Sequence, residues 1–196
     1  YRRTHTARNM RFVISGKLHG RRSEIIRQLE SWELKDDERF MVPRDELSSA
    51  NPTLIRRKEA SNLTFGLSMM VPREISDEES DAMDALDHIL TGTMHSRIYG
   101  AARAKGLAYH VFSDTSAGFH DSSWDFGGQV NLDTAKPLFD IVVREIRAVL
   151  DGKITEKELD AAKSYALGRH QMGAQTVAQI SNFYTNRFFA DGVVKD

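Results

Sequence analysis

The sequence predicts an α+β fold: a two-layer domain in which an antiparallel sheet packs against helices. Three observations lead there. Leu63, Phe65, Leu67 and Met69 alternate with Thr64, Gly66 and Ser68, the period of a half-buried strand. Two β-prone runs, Leu107 to Ser113 and Ser123 to Asn131, flank the turn-forming Asp114-Thr-Ser-Ala-Gly118, which suggests an antiparallel pair. Segments of helical periodicity are grouped between these strands rather than alternating with single ones, which argues against a doubly wound parallel sheet.

Taken in order, Met10 to Ser15 is a short β-prone run closed by Gly16, and Ser23 to Trp32 places Ile25, Ile26 and Leu29 at helical spacing. Residues 35–52, polar and turn-rich through Pro43 and Pro52, read as a linker-like connection. A short run from Thr53 to Arg57 precedes the strand at 62–71, which Pro72 closes. Ser76-Asp-Glu-Glu79 forms a capping box ahead of Ala82, Met83, Leu86, Ile89 and Leu90, predicting a helix over 77–91. Gly92 interrupts it. Met94, Ile98 and Ala101 then predict a second helix reaching Lys105, with Gly106 as its stop. After the two strands, Asp133 is the expected cap of a helix burying Leu138, Ile141, Val142, Ile146 and Val149, ended by Asp151-Gly152. Thr155 to Glu158 opens another capping box, leading into one long helical segment through Leu167 toward Phe183. The expected organisation is a single domain over 1–196: a joining strand and helix at 1–34, the connection at 35–52 and the main body at 53–196.

Composition narrows the function. With 27 basic and 28 acidic residues the net charge is -1, which gives no global attraction to nucleic acid or anionic membrane, and neither partner is expected. Arg2, Arg3, Arg8, Arg11, Arg21 and Arg22 make the start locally basic, but without the interleaved aromatics of a nucleic-acid platform they read as a solvated face. No run approaches the roughly 18–20 apolar residues that span a bilayer. Cysteine is absent, which removes disulfides, thiolate metal sites and cysteine nucleophiles and favours a cytoplasmic setting. The chain begins at Tyr1 rather than methionine and reads as part of a longer protein.

Among the seven histidines, His5, His19, His88, His95, His110, His120 and His170, no two are four residues apart. Both His-x-x-Glu-His and its reverse, which hold zinc with two histidines one helical turn apart, are therefore missing. His88 and His95 are seven apart, but Gly92 breaks the continuity that would put them on one helix face. No metal ligand is assigned. The Met69-Met70 pair and the Phe183, Phe188 and Phe189 cluster read as packing residues.

Met94-His-Ser-Arg-Ile-Tyr-Gly-Ala-Ala-Arg-Ala-Lys-Gly-Leu-Ala-Tyr109, between an amphipathic helix and a strand, resembles the characteristic segment of the pitrilysin, insulinase and mitochondrial-processing-peptidase family: Ser-Arg-Leu, a helix, then Arg-Glu-Lys-Gly-Leu-Ala-Tyr. Asn9-Met10 and the following run resemble the strand joining the two homologous halves of such peptidases. Lys153 to Lys163 resembles the helix start near the end of a domain. Because the zinc motif is missing, the resemblance implies the non-catalytic, C-terminal half: no catalytic residue and no cofactor of its own, with zinc in a homologous partner domain. It also implies peptide substrate enclosed between the two halves, and leaves a dimeric arrangement open.

The resemblance makes Arg103 and Tyr109 the substrate-binding residues, because a guanidinium and a phenol can donate hydrogen bonds to a peptide carbonyl and to the oxyanion that develops on it. They are six apart, one fewer than in many family members, so Arg103 could fill the position after the usual arginine. From spacing alone, Arg103 reads as a cation at a helix C-terminus and Tyr109 as a partly buried strand aromatic. The function expected is the substrate-binding half of a zinc metallopeptidase. The alternatives are a structural subunit of a related assembly or a stand-alone peptide-binding module.

Overall fold

In a computed structural model of the chain, residues 1–44, 46, 54–55 and 61–192 are described. The elements in chain order are α1 (Arg22–Glu30), β1 (Asn62–Val71), α2 (Asp77–Asp87), α3 (Arg97–Ala104), β2 (Ala108–Ala117), β3 (Ser122–Asn131), α4 (Ala135–Leu150), α5 (Glu156–Met172) and α6 (Val177–Asp191). The fold is α+β, as expected. Contacts group the chain into two compact units, Asp45–Ala166 and Tyr1–Arg44 with Leu167–Asp196. Of the connection expected at 35–52, residue 45 and residues 47–52 lie outside the described residues, as do Thr53, Arg56 and Arg57 of the run that follows.

In the Asp45–Ala166 unit, the three strands pair antiparallel in the order β1-β3-β2, which makes β3 central. The period-2 alternation does its work here. Trp124, Phe126 and Val130 of β3 and Val111 of β2 are buried on one face, and Leu63, Phe65 and Met69 of β1 pack against them. Leu67, expected with that set, is 45% exposed. The helices supply Leu90, Ile98, Ala102, Leu138, Ile141 and Val142, closing one apolar core. Each large side chain so buried contributes about 1.5–3 kcal/mol.

Helix ends follow the capping logic of the sequence. Ser76 accepts from the Glu79 amide while the Glu79 carboxylate accepts from the Ser76 amide. Thr155 and Glu158 form the same reciprocal pair ahead of α5, at 3.0 and 3.3 Å. The expected helix over 77–91 is present, but its last turn widens into a π-helical turn at His88–Gly92. There Thr91 Oγ1 donates to the Asp87 carbonyl and lies 2.7 Å from Ser113 Oγ on β2.

Three local expectations need correction. Asp114 to Ala117 are strand residues opposite Asp125 to Ser122, so the hairpin turns at Gly118–Asp121, where the Gly118 amide donates to the Asp121 carbonyl. Turn-prone residues are overridden here by a ribbon that gives their backbones partners. Asp133 does not cap α4; Thr134 holds that place, and its hydroxyl donates to the Leu107 and Asn131 carbonyls instead of capping. The long C-terminal helix is two: α5 ends at Met172, and Thr176 with Gln179 builds a new capping box that starts α6.

In the other unit, residues 10–15 are not in a strand. The backbone is extended at Met10 (φ -105°, ψ 142°) and exposure alternates from Arg11 to Ser15, but among the described residues the run has no ladder partner. Alternation selects an extended conformation; a strand also needs a neighbour to take its amides and carbonyls. Phe12 instead meets Trp32 edge-on at 5.4 Å. Asn9 ties this unit together, donating to Thr6 Oγ1 and accepting from the Phe40 amide. The basic residues here are engaged locally: Arg8 with Asp36, Arg21 with Glu24, and Arg11 over the Phe188 ring.

Candidate functional site

The site is assembled where α3 passes into β2. The Gly106 amide donates to the Arg103 carbonyl and the Leu107 amide to the Ala102 carbonyl, the paired bonds of a Schellman stop. Gly106 has φ +64°, the left-handed region this stop requires. Replacing it with alanine adds strain without a clash, since open space surrounds the Cβ position. Gly106→Ala is therefore expected to cost about 1 kcal/mol, read as a lower thermal midpoint with an unchanged far-ultraviolet spectrum.

One residue later the ladder is interrupted. Ala108 pairs with Val130 and His110 with Gln129, leaving Tyr109 as an extra residue, a bulge on β2. Tyr109 is 82% exposed. The partly buried aromatic that spacing alone suggests is thus not found: the bulge turns Tyr109 out of the alternation that buries Ala108 and Val111. Arg103 does lie in the last turn of α3, as expected, and its guanidinium carbon sits 5.0 Å from the centre of the Tyr109 ring. The structure therefore brings the two sequence-predicted residues together as a stacked cation and ring. Beside them is an open recess of about 230 Å³, lined also by Asn62, Leu107, Gln129 and Asn131.

These last residues carry no signal in the sequence, because Asn62, Gln129 and Asn131 converge only through the register in which Asn62 opposes Asn131. The bulge does leave a trace: Ala108 and Val111, both buried, are three apart where strict alternation demands two.

The other half of the characteristic segment, Ser96-Arg97, has a different part. Arg97 donates through Nε and a terminal nitrogen to both oxygens of Glu158, each at 2.6 Å, and to the Lys153 carbonyl at 2.7 Å. Glu145 lies 3.8 Å away. This ties the start of α3 to the start of α5. The Arg97 guanidinium holds the Glu158 carboxyl down at about 2, against an ordinary value of 4.5. A lowered pKa contributes stability that is complete above about 4.5 and lost as pH falls toward 2. Wild-type protein should therefore lose stability over that window more steeply than Glu158→Gln, in chemical denaturation at stepped pH; parallel curves would show that Glu158 adds nothing to the acid limb.

Beneath the sheet, the Asp87 carboxylate accepts from Trp124 Nε1 at 2.7 Å and Thr115 Oγ1 at 3.2 Å. Burial raises its pKa and these bonds oppose the rise. His88 stacks on Tyr165 at 4.0 Å, and burial lowers its pKa. Neither group faces the recess. Among the described residues, no three His, Asp or Glu side chains are grouped to hold a metal ion.

The chain matches the family model described as peptidase M16 inactive domain over residues 1–165. It belongs to that family. No curated protein matches it. Among solved structures, a protease from Helicobacter pylori superposes with a TM-score of 0.74 at 17% identity, covering 90% of this chain and 44% of that one. A peptidase M16 inactive domain from Pseudomonas fluorescens gives 0.57 at 22% identity, covering 67% and 32%. The periplasmic protease PqqL from Escherichia coli gives 0.68 at 16% identity, covering 85% and 19%. At these identities the likeness is one of fold. The chain spans less than half the length of each of these proteins.

Proposed function

We propose that this chain is the zinc-free, substrate-binding half of a metallopeptidase, which takes part in peptide hydrolysis only when paired with a homologous domain carrying His-x-x-Glu-His. Its membership of the inactive-domain family and its lack of any histidine pair four residues apart support the first clause. The observation that carries the substrate-binding role is the Arg103–Tyr109 pair, aligned by a helix stop and a bulge and exposed beside a recess.

In the assembled enzyme the zinc, held by the partner, supplies the activated water. Tyr109 and Arg103 then hold the peptide: the phenol and the guanidinium donate to the carbonyl being attacked and to the charge that develops on its oxygen. Stacking fixes the guanidinium over the ring, so less freedom is lost when peptide arrives.

Titration of isotopically labelled chain with a mixture of short peptides tests the binding half of the reading. Resonances of residues 103–109 and 129–131 should move together and saturate; shifts confined to other surfaces would contradict it.

A further inference from the structure

Resting on that reading, we infer that the recess beside Arg103 and Tyr109 is a subsite for a carboxylate of the bound peptide, so that the chain selects acidic over neutral residues there. The lining is the first reason. Among the described residues, Arg103 is its one charged side chain and no aspartate or glutamate borders it. Among the described residues Arg103 takes part in no ion pair, whereas Arg97, Arg73 and Arg144 are each paired with a glutamate. Its own bond is one long contact, 3.5 Å, to the Tyr109 carbonyl.

The second reason is geometry. A guanidinium stacked on a ring uses its face and keeps its N–H donors at the edge, which is how it meets a carboxylate. Asn62, Gln129 and Asn131 line the same space, and none of their carboxamides has a hydrogen-bond partner among the described residues. A carboxylate accepts several such bonds at once, and its charge strengthens each of them. A neutral amide of the same shape fills the space but forgoes that gain. A lysine or arginine of the peptide would bring like charge to Arg103. The volume, about 230 Å³, is ample for a side chain rather than a single water.

Three peptides separate the sources of the carboxylate: acetyl-Ala-Glu-Ala-amide, acetyl-Ala-Gln-Ala-amide and acetyl-Ala-Gln-Ala with a free C-terminus. Dissociation constants would be read from shifts of the Asn62, Gln129 and Asn131 side-chain amides in the intact chain at low salt. The glutamate peptide should bind about three- to fivefold tighter than the glutamine amide, as exposed ion pairs allow, and the margin should shrink as salt rises. Arg103→Gln should erase the margin. Gln129→Glu, which places a negative charge in the recess, should reverse it.

Preference only for the free C-terminus would support the carboxylate subsite and assign it to a peptide end. Equal binding of all three peptides at these amides would overturn the inference while leaving the substrate-binding reading intact. Absence of shifts with every peptide would overturn the inference; the substrate-binding reading is then decided separately by cleavage in the assembled enzyme.

Discussion

In the peptidase we propose to form from this chain and a zinc-bearing partner, Tyr109→Phe and Arg103→Ala are each expected to lower kcat/KM about tenfold or more. The estimate follows from one lost hydrogen bond to developing negative charge, worth about 1.5–3 kcal/mol. The two substitutions differ in what else they change. Tyr109→Phe keeps the ring on which the guanidinium stacks and removes only the phenolic donor, so the loss should appear mainly in kcat. Arg103→Ala removes a donor and the cation over the ring, and so should also raise KM. Both side chains are exposed, which leaves folding unaffected. Lys136→Ala, which breaks only an exposed pair with Asp140 one turn along α4, is the control and should leave the rate unchanged. Wild-type rates in both Tyr109→Phe and Arg103→Ala would remove the assigned roles.

Arg97→Ala is expected to cost about 3 kcal/mol of folding stability. Arg97 and Glu158 are largely sheltered, with side chains 18% and 30% exposed. Deleting the guanidinium breaks the two-pronged pair and the bond to the Lys153 carbonyl together. It also leaves the Glu158 charge in a sheltered site with only its bonds from Thr155, and losing a sheltered charge's cation costs more than the pair itself contributes. Arg97→Lys retains charge but not the fork, and about half the loss should remain. The readout is the midpoint of urea denaturation at constant slope. Loss below 0.5 kcal/mol for Arg97→Ala would mean that α3 and α5 are held by the apolar core alone. Because α3 ends in the turn that carries Arg103, the weakened variant should also lose activity on warming before the wild type does.

These two predictions divide one sequence segment into two jobs, and the division marks how far the sequence could be read. The helices and strands from Asn62 to Leu150 followed from periodicity and capping, apart from the β2 end at Asp114–Ala117 and the start of α4, because each of those segments buries one face of a local pattern. Gly106 was legible for the same reason: a glycine at the end of an apolar stripe is where a helix stops. The resemblance supplied Arg103 and Tyr109, but nothing in it distinguished a stacked, outward-facing pair from a capping cation and a buried ring. That distinction comes from the bulge, which is a property of the β2–β3 register.

Asn62, Gln129 and Asn131 were out of reach because they are far apart in sequence and meet only across paired strands. The part of Arg97 was hidden likewise: its partner, Glu158, is 61 residues away, and its capping box with Thr155 gave that glutamate a sufficient local reason to exist. The break between α5 and α6 was legible and passed over, since Thr176 and Gln179 repeat the box already read at Ser76 and Thr155. Residues 10–15 show the reverse failure, alternation without a ladder partner among the described residues.

The account stands most directly on peptide cleavage by this chain alone and mixed with a homologous His-x-x-Glu-His domain, each with zinc and with a chelator. It predicts no cleavage by the chain alone under either condition, and cleavage by the mixture that exceeds that of the partner by itself and disappears with chelator. A well-folded, zinc-loaded mixture no more active than the partner alone would contradict it.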